Sequence, residues 1–216
     1  MHRGAYLVGI AGGSGSGKTS LVRALRESLP DGTVCLVSQD DYYLPKSEQG
    51  LDANGRVNFD LPGGVDLDGL ARDLRTLVAG ESVYRKEYTF NIEGQEPKLI
   101  ELRPAPVILV EGLFVLHHVP VRELFDLRVF IEASEDAQLD RRMRRDARER
   151  GYGEEEILYQ WQEHVLPAYR NYLLPYRHLC DLHVVNESNF TRAVTVLRDH
   201  LLQTAGVVEP IDIQGL

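Results

Sequence analysis

Apolar residues recur along the chain in two rhythms. Short continuous runs at residues 6–11, 33–37, 106–110, 127–131 and 182–185 have the length, and the lack of alternation, of strands buried on both faces. Between them the apolar positions fall three and four apart: Leu21, Val22, Leu25 and Leu29, then Leu67, Leu70, Leu74, Leu77 and Val78, and Val194, Leu197 and Leu201 after Asn189. That spacing puts each set on one face of a helix. Pro30-Asp31-Gly32 marks a turn, Gly80 a stop, and Ser134 with Glu135 and Asp136 a helix start. Helices are also predicted at about 154–165 and 167–178, with Pro167 suited to a first helical position.

Two stretches break the rhythm. Residues 44–66 read as loop, punctuated by Gly50, Asn54-Gly55 and Pro62-Gly63-Gly64. From 83 to 102, Tyr88, Phe90 and Ile92 alternate with polar residues, Glu93-Gly94-Gln95 supplies a turn, and Leu99-Ile100-Glu101-Leu102 returns. This is the pattern of a β-hairpin. Strands alternating with helices predict an α/β fold, with a five-stranded parallel sheet and helices on both faces, in one domain spanning 1–216. The last dozen residues read as a tail. In such sheets ligands bind at the carboxyl ends of the strands, where strand order reverses.

Composition narrows the partners. A formal net charge of −9 over 216 residues argues against nucleic acid or an anionic membrane surface as partner. No apolar run approaches membrane-spanning length. The start, Met1-His2-Arg3-Gly4, leads straight into the first strand, so no signal peptide is expected. Cys35 and Cys180 sit in or beside apolar runs without metal-type spacing; two buried thiols and a cytoplasmic location are expected. The seven histidines show no metal-type pairing, so no zinc site is expected.

The first strand runs into Gly12-Gly13-Ser14-Gly15-Ser16-Gly17-Lys18-Thr19, followed at once by a helical pattern. Strand, glycine-rich turn and helix are the context that makes G-x-x-x-x-G-K-[ST] a phosphate-binding loop. Glycines let successive backbone N–H groups point at phosphate oxygens, and the helix start adds unpaired N–H groups and a positive dipole end. Lys18 can reach the β- and γ-phosphates of a nucleoside triphosphate, and the Thr19 hydroxyl can ligate Mg²⁺. A flexible Gly/Ser turn would explain the glycines and serines but not Lys18-Thr19 at this offset.

Carboxylates follow two other strands. Asp40 and Asp41 close the second and Glu111 ends the third. Alone, each is a solvated turn residue, a cap, or part of a site. Together beside a phosphate loop, they supply what phosphoryl transfer needs: a carboxylate to organise Mg²⁺ and a base for the attacking hydroxyl. Between 141 and 150 stand six arginines with Asp146 and Glu149. Asp140, Asp146 and Glu149 offer local partners on a solvated helix face. Arginine outnumbers its acidic partners, however, and its fork matches phosphate oxygens. A lid at about 138–153 would use Arg141, Arg145 and Arg148 on one face, or Arg142 and Arg145 towards the transferred group. Tyr42, Tyr43, Phe59, Tyr88 and Phe90 flank Asp60, a set able to stack a ring and bind sugar hydroxyls, although single aromatics are usually core. His117-His118 are assigned no role.

Taken in order, the phosphate loop, Ser38-Gln39-Asp40-x-x-Tyr43, Asn58-Phe59-Asp60-x-Pro62, Tyr88-x-Phe90, Val110-Glu111-Gly112 and Arg141-Arg142-x-x-Arg145-Asp146-x-x-Glu149-Arg150-Gly151 resemble the uridine/cytidine kinases of the phosphoribulokinase/uridine kinase group of P-loop kinases. The resemblance covers residues 5–190 and implies ATP-dependent phosphorylation of a ribonucleoside 5′-hydroxyl. It implies Mg²⁺ near Thr19, Asp40 and Glu111, with Asp40 as the base. Asp60 would hold the ribose hydroxyls, and Tyr43, Tyr88 and Gln160 would face the nucleoside. Arg142 would face the reacting end, and Arg145 and Arg150 the ATP phosphates. A homotetramer is common in the family. The chain departs from the pattern at Glu93, where a base-reading His is usual, at Tyr152 in place of an Arg, and at Asn186-Glu187-Ser188 in place of Pro-Arg-Gly. Nicotinamide riboside kinases, with a similar Ser-Gln-Asp-Asp turn and His-Val-x-Pro segment (here His164-Val165-Leu166-Pro167), are the alternative. A nucleotide-dependent switch is a different class, but no N-K-x-D guanine-reading motif occurs and it would leave Asp60 unexplained. A non-catalytic binding module would not need the Lys18, Thr19, Asp40 and Glu111 set.

Overall fold

The computed structural model describes residues 4–89 and 96–206. The continuous apolar runs form one parallel sheet because their backbones, buried on both faces, have only one another to hydrogen-bond. In chain order its strands are β1 (Tyr6–Gly12), β2 (Val34–Ser38), β7 (Val107–Gly112), β8 (Leu127–Glu132) and β9 (Leu182–Val185). They lie side by side as β2-β7-β1-β8-β9, five strands as expected. The register sets Ser38 abreast of Glu111 and Ala11 abreast of Gly112, so the carboxyl ends of β1, β2 and β7 meet at one edge of the molecule.

Alternate side chains feed two cores. On one face Leu7, Val37, Ile108, Val110 and Phe130 pack with α2 (Leu67–Val78), whose Leu70, Leu74 and Leu77 are fully buried. On the other, Val8, Ile10, Leu109 and Val129 pack with α1 (Lys18–Ser28) and α8 (Thr191–Thr204). α2 is closed at both ends, at Gly80 as the sequence predicts and at Asp66 by a cap that was not read from it. Asp66 accepts from Gly69 N–H at 2.8 Å, and Gly80 takes φ +88° while Glu81 N–H reaches back to the Thr76 carbonyl at 3.1 Å. α8 begins at Thr191, two residues after Asn189. A short helix, α3 (Val119–Arg122), was not expected.

The structure departs from the expectation in two places. Residues 44–66 are not simply loop: β3 (Gly50–Leu51) pairs antiparallel with β4 (Val57–Asn58). Two-residue strands carry no periodicity, so nothing in the pattern announces them. Nor does Pro167 open a new helix. Residues 154–177 follow one helical path: α5 (Glu154–Gln160), a π turn (Trp161–Val165), α6 (Leu166–Ala168), a second π turn (Tyr169–Leu173) and α7 (Leu174–Arg177). Each π turn ends two residues before a proline, Pro167 or Pro175. Proline has no N–H for the ordinary i→i−4 bond, and the wider turns let the helix continue past it.

The hairpin is formed by β5 (Val83–Lys86) and β6 (Leu99–Leu102), with Val83 opposite Leu102 and Lys86 opposite Leu99. Phe90, Ile92, Glu93 and the expected turn at 93–95 lie outside the described residues, as does most of the expected tail. The segment expected to serve as a lid falls largely in α4 (Glu135–Glu149), capped by Ser134, whose hydroxyl accepts from Ala137 N–H at 3.3 Å. Among the described residues no helix is long and apolar enough to cross a membrane.

Two measurements test this packing. Leu74→Ala should lower the unfolding free energy by about 2–5 kcal/mol in urea, since Leu74 is wholly enclosed between α2 and the sheet. Burial holds the Cys35 and Cys180 thiols up at about 11, so the neutral form persists well above the pH at which an exposed thiol ionises. Iodoacetamide should therefore alkylate the native protein slowly near neutral pH, its rate climbing about tenfold per pH unit towards that value. Unfolded protein should instead level off about two units lower.

Candidate active site

The glycine-rich turn leaves β1 and enters α1 through two left-handed residues, Gly15 at φ +79° and Gly17 at φ +102°. Space as well as dihedral requires glycine there. A Cβ on Gly15 would lie 2.4 Å from the Gln138 carbonyl oxygen, and one on Gly17 2.3 Å from Asn186 Nδ2. α4 and the end of β9 thus press directly on the loop. Lys18 Nζ donates to the Gly12 and Gly13 carbonyls at 3.0 and 3.1 Å. The Ser16 hydroxyl is buried and, among the described residues, has no hydrogen-bond partner.

The two strand-end carboxylates reach the same place. Glu111 Oε1 accepts from the hydroxyls of Thr19 at 3.3 Å and Ser38 at 3.2 Å, joining the carboxyl ends of β7 and β2 to the start of α1. Asp40 stands in the 3₁₀ turn Gln39–Tyr42, where its N–H donates to Ser38 Oγ at 3.2 Å. Burial pushes the Glu111 carboxyl up to about 7; Asp40 adds to the rise, while Lys18 and the two hydroxyls pull it back. Asp40 is raised as well, first by burial, against the pull of Lys18, Arg150 and Arg145. Burial lowers the Lys18 ammonium, and Glu111 and Asp40 oppose it. Two carboxylates and an amine therefore share one poorly hydrated space, and a divalent cation there would relieve the repulsion between the carboxylates. Thr19, Asp40 and Glu111 fit such an ion as hard oxygen donors. Among the described residues no cluster of three His, Cys, Asp or Glu forms a metal site.

The arginines separate into groups with different neighbours. Arg142 is buried. Its Nη1 donates to Ser14 Oγ at 3.0 Å and its Nη2 to Gln160 Oε1 at 2.7 Å. Its Nε lies 3.2 Å from Asp146 Oδ2 in an ion pair that lacks hydrogen-bond alignment. Asp146, wholly buried, also receives Arg145 at 2.8 Å and Arg150 at 3.4 Å. Arg141 takes another direction, to the carbonyls of Gly15, Asn186 and Glu187. Arg144 pairs with Asp140, and Arg148 with Glu149 on an exposed surface, so Arg148 does not join the cluster.

Across the site, Asp60 shares a recess with Gly13, Ser14, Leu113 and Tyr169. Its N–H bonds the Asn58 side chain at 2.9 Å, which fixes the turn that follows β4. Tyr43 packs against Tyr88 with ring centroids 5.1 Å apart and edge-on to Phe59 at 6.2 Å. Burial, then the charges of Asp40 and Asp60, raise its phenol well above the ordinary value. Tyr88 N–H donates to Asp41 Oδ1 at 2.9 Å, tying the hairpin to the Asp40 turn. The recess holds about 10 Å³, room for one water, whereas small-molecule sites typically hold about 300–1,000 Å³.

Several contributors were not visible in the sequence. Asn186 is buried and donates to the Ser16 carbonyl at 2.8 Å, and Glu187 accepts from both the N–H and hydroxyl of Ser134 at 2.6 and 2.9 Å. The segment that departs from the resembled pattern thus braces both the phosphate loop and α4. Gln39, fully buried, accepts from Phe114 N–H at 2.6 Å and secures the Asp40 turn to the segment after β7. Its place beside Asp40 in sequence was the one available signal. His118 pairs with Asp68 at 2.9 Å, and His117 meets Tyr172 and Tyr176 edge-on.

With the geometry in place, comparison with known proteins is direct. The profile described as "Phosphoribulokinase / Uridine kinase family" matches residues 7–191. A uridine kinase of Streptococcus pyogenes serotype M18 is 29% identical over 208 residues, covering 96% of this chain and all of that protein. A solved structure titled a possible uridine kinase from Bacillus stearothermophilus superposes with TM-score 0.60 at 20% identity, over 85% of this chain and 90% of that one. A putative fructose transport system kinase from Silicibacter sp. TM1040 does so with TM-score 0.62 at 20% identity, over 83% and 89%. The match spans almost the whole of the described fold, and this chain is a kinase of the phosphoribulokinase/uridine kinase family.

Proposed function

We propose that this kinase is a single-domain, cytoplasmic enzyme that uses ATP and Mg²⁺ to phosphorylate the 5′-hydroxyl of a ribonucleoside, uridine or cytidine, in pyrimidine salvage. The observation that carries the reading is the facing of two halves across one recess. Gly13 and Ser14 of the phosphate loop share that recess with Asp60, and Lys18, Asp40 and Glu111 lie close enough to act on one another's charge. The uridine kinases of Streptococcus pyogenes, similar over nearly the whole chain, support the choice of acceptor.

The residues divide the work. Asp60 would hold the sugar hydroxyls, and Tyr43 with Tyr88 would stack the base. Asp40 would orient the 5′-hydroxyl and take its proton; burial raises its pKa, which strengthens it as a base. Lys18, Arg142, Arg145 and Arg150 would stabilise charge on the transferring phosphoryl group, and the loop N–H groups would hold the donor in line. Mg²⁺, held by Thr19, Asp40 and Glu111, would supply neutralisation of phosphate charge. Gln160 would meet the nucleoside from α5, and the family's habit of forming tetramers extends to this chain as part of the proposal.

The deciding experiment is ADP release with a panel of nucleosides, nicotinamide riboside and sugar phosphates. Uridine or cytidine should give the highest kcat/KM, and Asp40→Asn should lower kcat by about 10²–10⁴-fold. Full activity in that variant would remove Asp40 from the role of base. Transfer only to nicotinamide riboside, whose kinases share the His164-to-Pro167 pattern, would replace the acceptor and keep the donor chemistry.

Glu93 is proposed to read the acceptor. A carboxylate accepts a hydrogen bond from the cytosine amino group or a nicotinamide amide, which uracil does not offer at that edge. Glu93→Gln should therefore reduce kcat/KM for cytidine about tenfold more than for uridine. An unchanged ratio would leave Glu93 a solvated hairpin residue.

A further inference from the structure

Asp52 lies in the turn between β3 and β4, outside the transfer machinery, yet its carboxylate is one of the most fully satisfied in the protein. Oδ1 accepts the N–H groups of Asn54 at 2.9 Å and Arg56 at 2.8 Å, which shapes the turn itself. Oδ2 accepts from elsewhere: the Tyr159 hydroxyl at 2.6 Å and His164 Nε2 at 2.7 Å. A carboxylate only accepts, so His164 carries its proton on Nε2. Both side chains are well enclosed, Asp52 at 10% and His164 at 4% exposure. These donors, Tyr159 foremost, hold the Asp52 carboxyl below the ordinary carboxylate range. Around the cluster Asn54 Nδ2 donates to Tyr159 Oη at 2.8 Å, and the Arg56 guanidinium lies 4.0 Å over the Tyr159 ring and pairs with Glu156 at 2.9 Å.

The two sides of this knot lead to the two walls of the recess. From the turn, β4 runs through Asn58, whose side chain fixes Asp60. From Tyr159 the next residue is Gln160, which holds Arg142, which in turn holds Ser14 of the phosphate loop. One carboxylate thus joins the acceptor wall to the lid and the donor loop. On the proposed function the acceptor is held in the recess between these walls.

We propose that Asp52 is a positioning residue: its bonds to Tyr159 and His164 latch the β3–β4 turn to α5 and the π turn after it, and so set the distance between Asp60 and the Gln160–Arg142 pair when an acceptor is held. Asp52 acts through those residues and does not touch the reacting atoms. The kinetic part of the idea rests on the proposed function, because it needs an acceptor in that recess; the latch itself does not. The chain's single tryptophan, Trp161, is 5% exposed and lies in the π turn between Tyr159 and His164, so it reports the latch without any substrate.

The test uses the full chain as wild type, Asp52→Ala, Tyr159→Phe and the double variant. Asp52→Ala should raise acrylamide quenching of Trp161 and raise the acceptor KM by about tenfold or more, with the ATP KM changed by less than about twofold. Tyr159→Phe, which keeps the carboxylate and the histidine, should show a smaller change in both readouts and no further change in the Asp52→Ala background. Tyr159→Phe also answers the question should Asp52→Ala fail to fold. Acceptor and ATP KM rising together, or the two substitutions adding in full, would overturn the latch. Quenching that is identical in all folded variants would overturn it even if no nucleoside proves to be an acceptor. Altered quenching in that circumstance would uphold the latch and fault only the reading of the acceptor.

Discussion

Three guanidinium groups do not sit side by side without an anion among them, and in this kinase the anion is Asp146. Arg142, Arg145 and Arg150 all turn towards its wholly buried carboxylate. α4 therefore carries its own counter-charge beside the phosphate loop. Without Asp146, repulsion and desolvation would drive the arginines outwards to water, and the bonds of Arg142 to Ser14 and Gln160 would go with them. The rest of the donor half is arranged round this constraint. Gln138 and Arg141, on the same helix, lie against the loop glycines, and Asn186 and Glu187 brace the arrangement from the end of β9.

On the other side of the charge balance stand Asp40 and Glu111, at the ends of neighbouring strands; burial raises both first, Asp40 adds to the rise of Glu111, and Asp60 adds to that of Asp40. Lys18 lies between, pulled down by burial and sustained by both. The cleft is thus layered, with cations on the lid, anions on the strand ends, and the phosphate loop at the junction. Such an arrangement discriminates by charge as well as shape, because only a ligand that is itself polyanionic satisfies the lid while bringing a cation to the carboxylates.

The fold was legible wherever a physical requirement was local. Strands buried on both faces declare themselves by unbroken apolar runs, and α2 by an apolar stripe with a Gly80 stop. The phosphate loop was legible because its chemistry occupies eight consecutive residues. What could not be read were contacts that the fold alone creates. Asp52 and His164 are 112 residues apart, and nothing in either neighbourhood names the other. Asn186 looked like a loss from a familiar pattern, whereas in the structure it fills the space left by Gly17 and bonds the loop. Pro167 misled for a different reason. Its usual place is a helix start, and a π turn suits the missing N–H equally well, at a cost in hydrogen-bond geometry that sequence does not display.

The resting position of Lys18 carries a last consequence. Its ammonium is not waiting in solvent but is coordinated by the Gly12 and Gly13 carbonyls. A phosphate that reaches it enters an exchange, in which two neutral dipoles give way to one anionic oxygen. The lysine's contribution to affinity is then a difference between two occupied states rather than the full strength of a new ion pair.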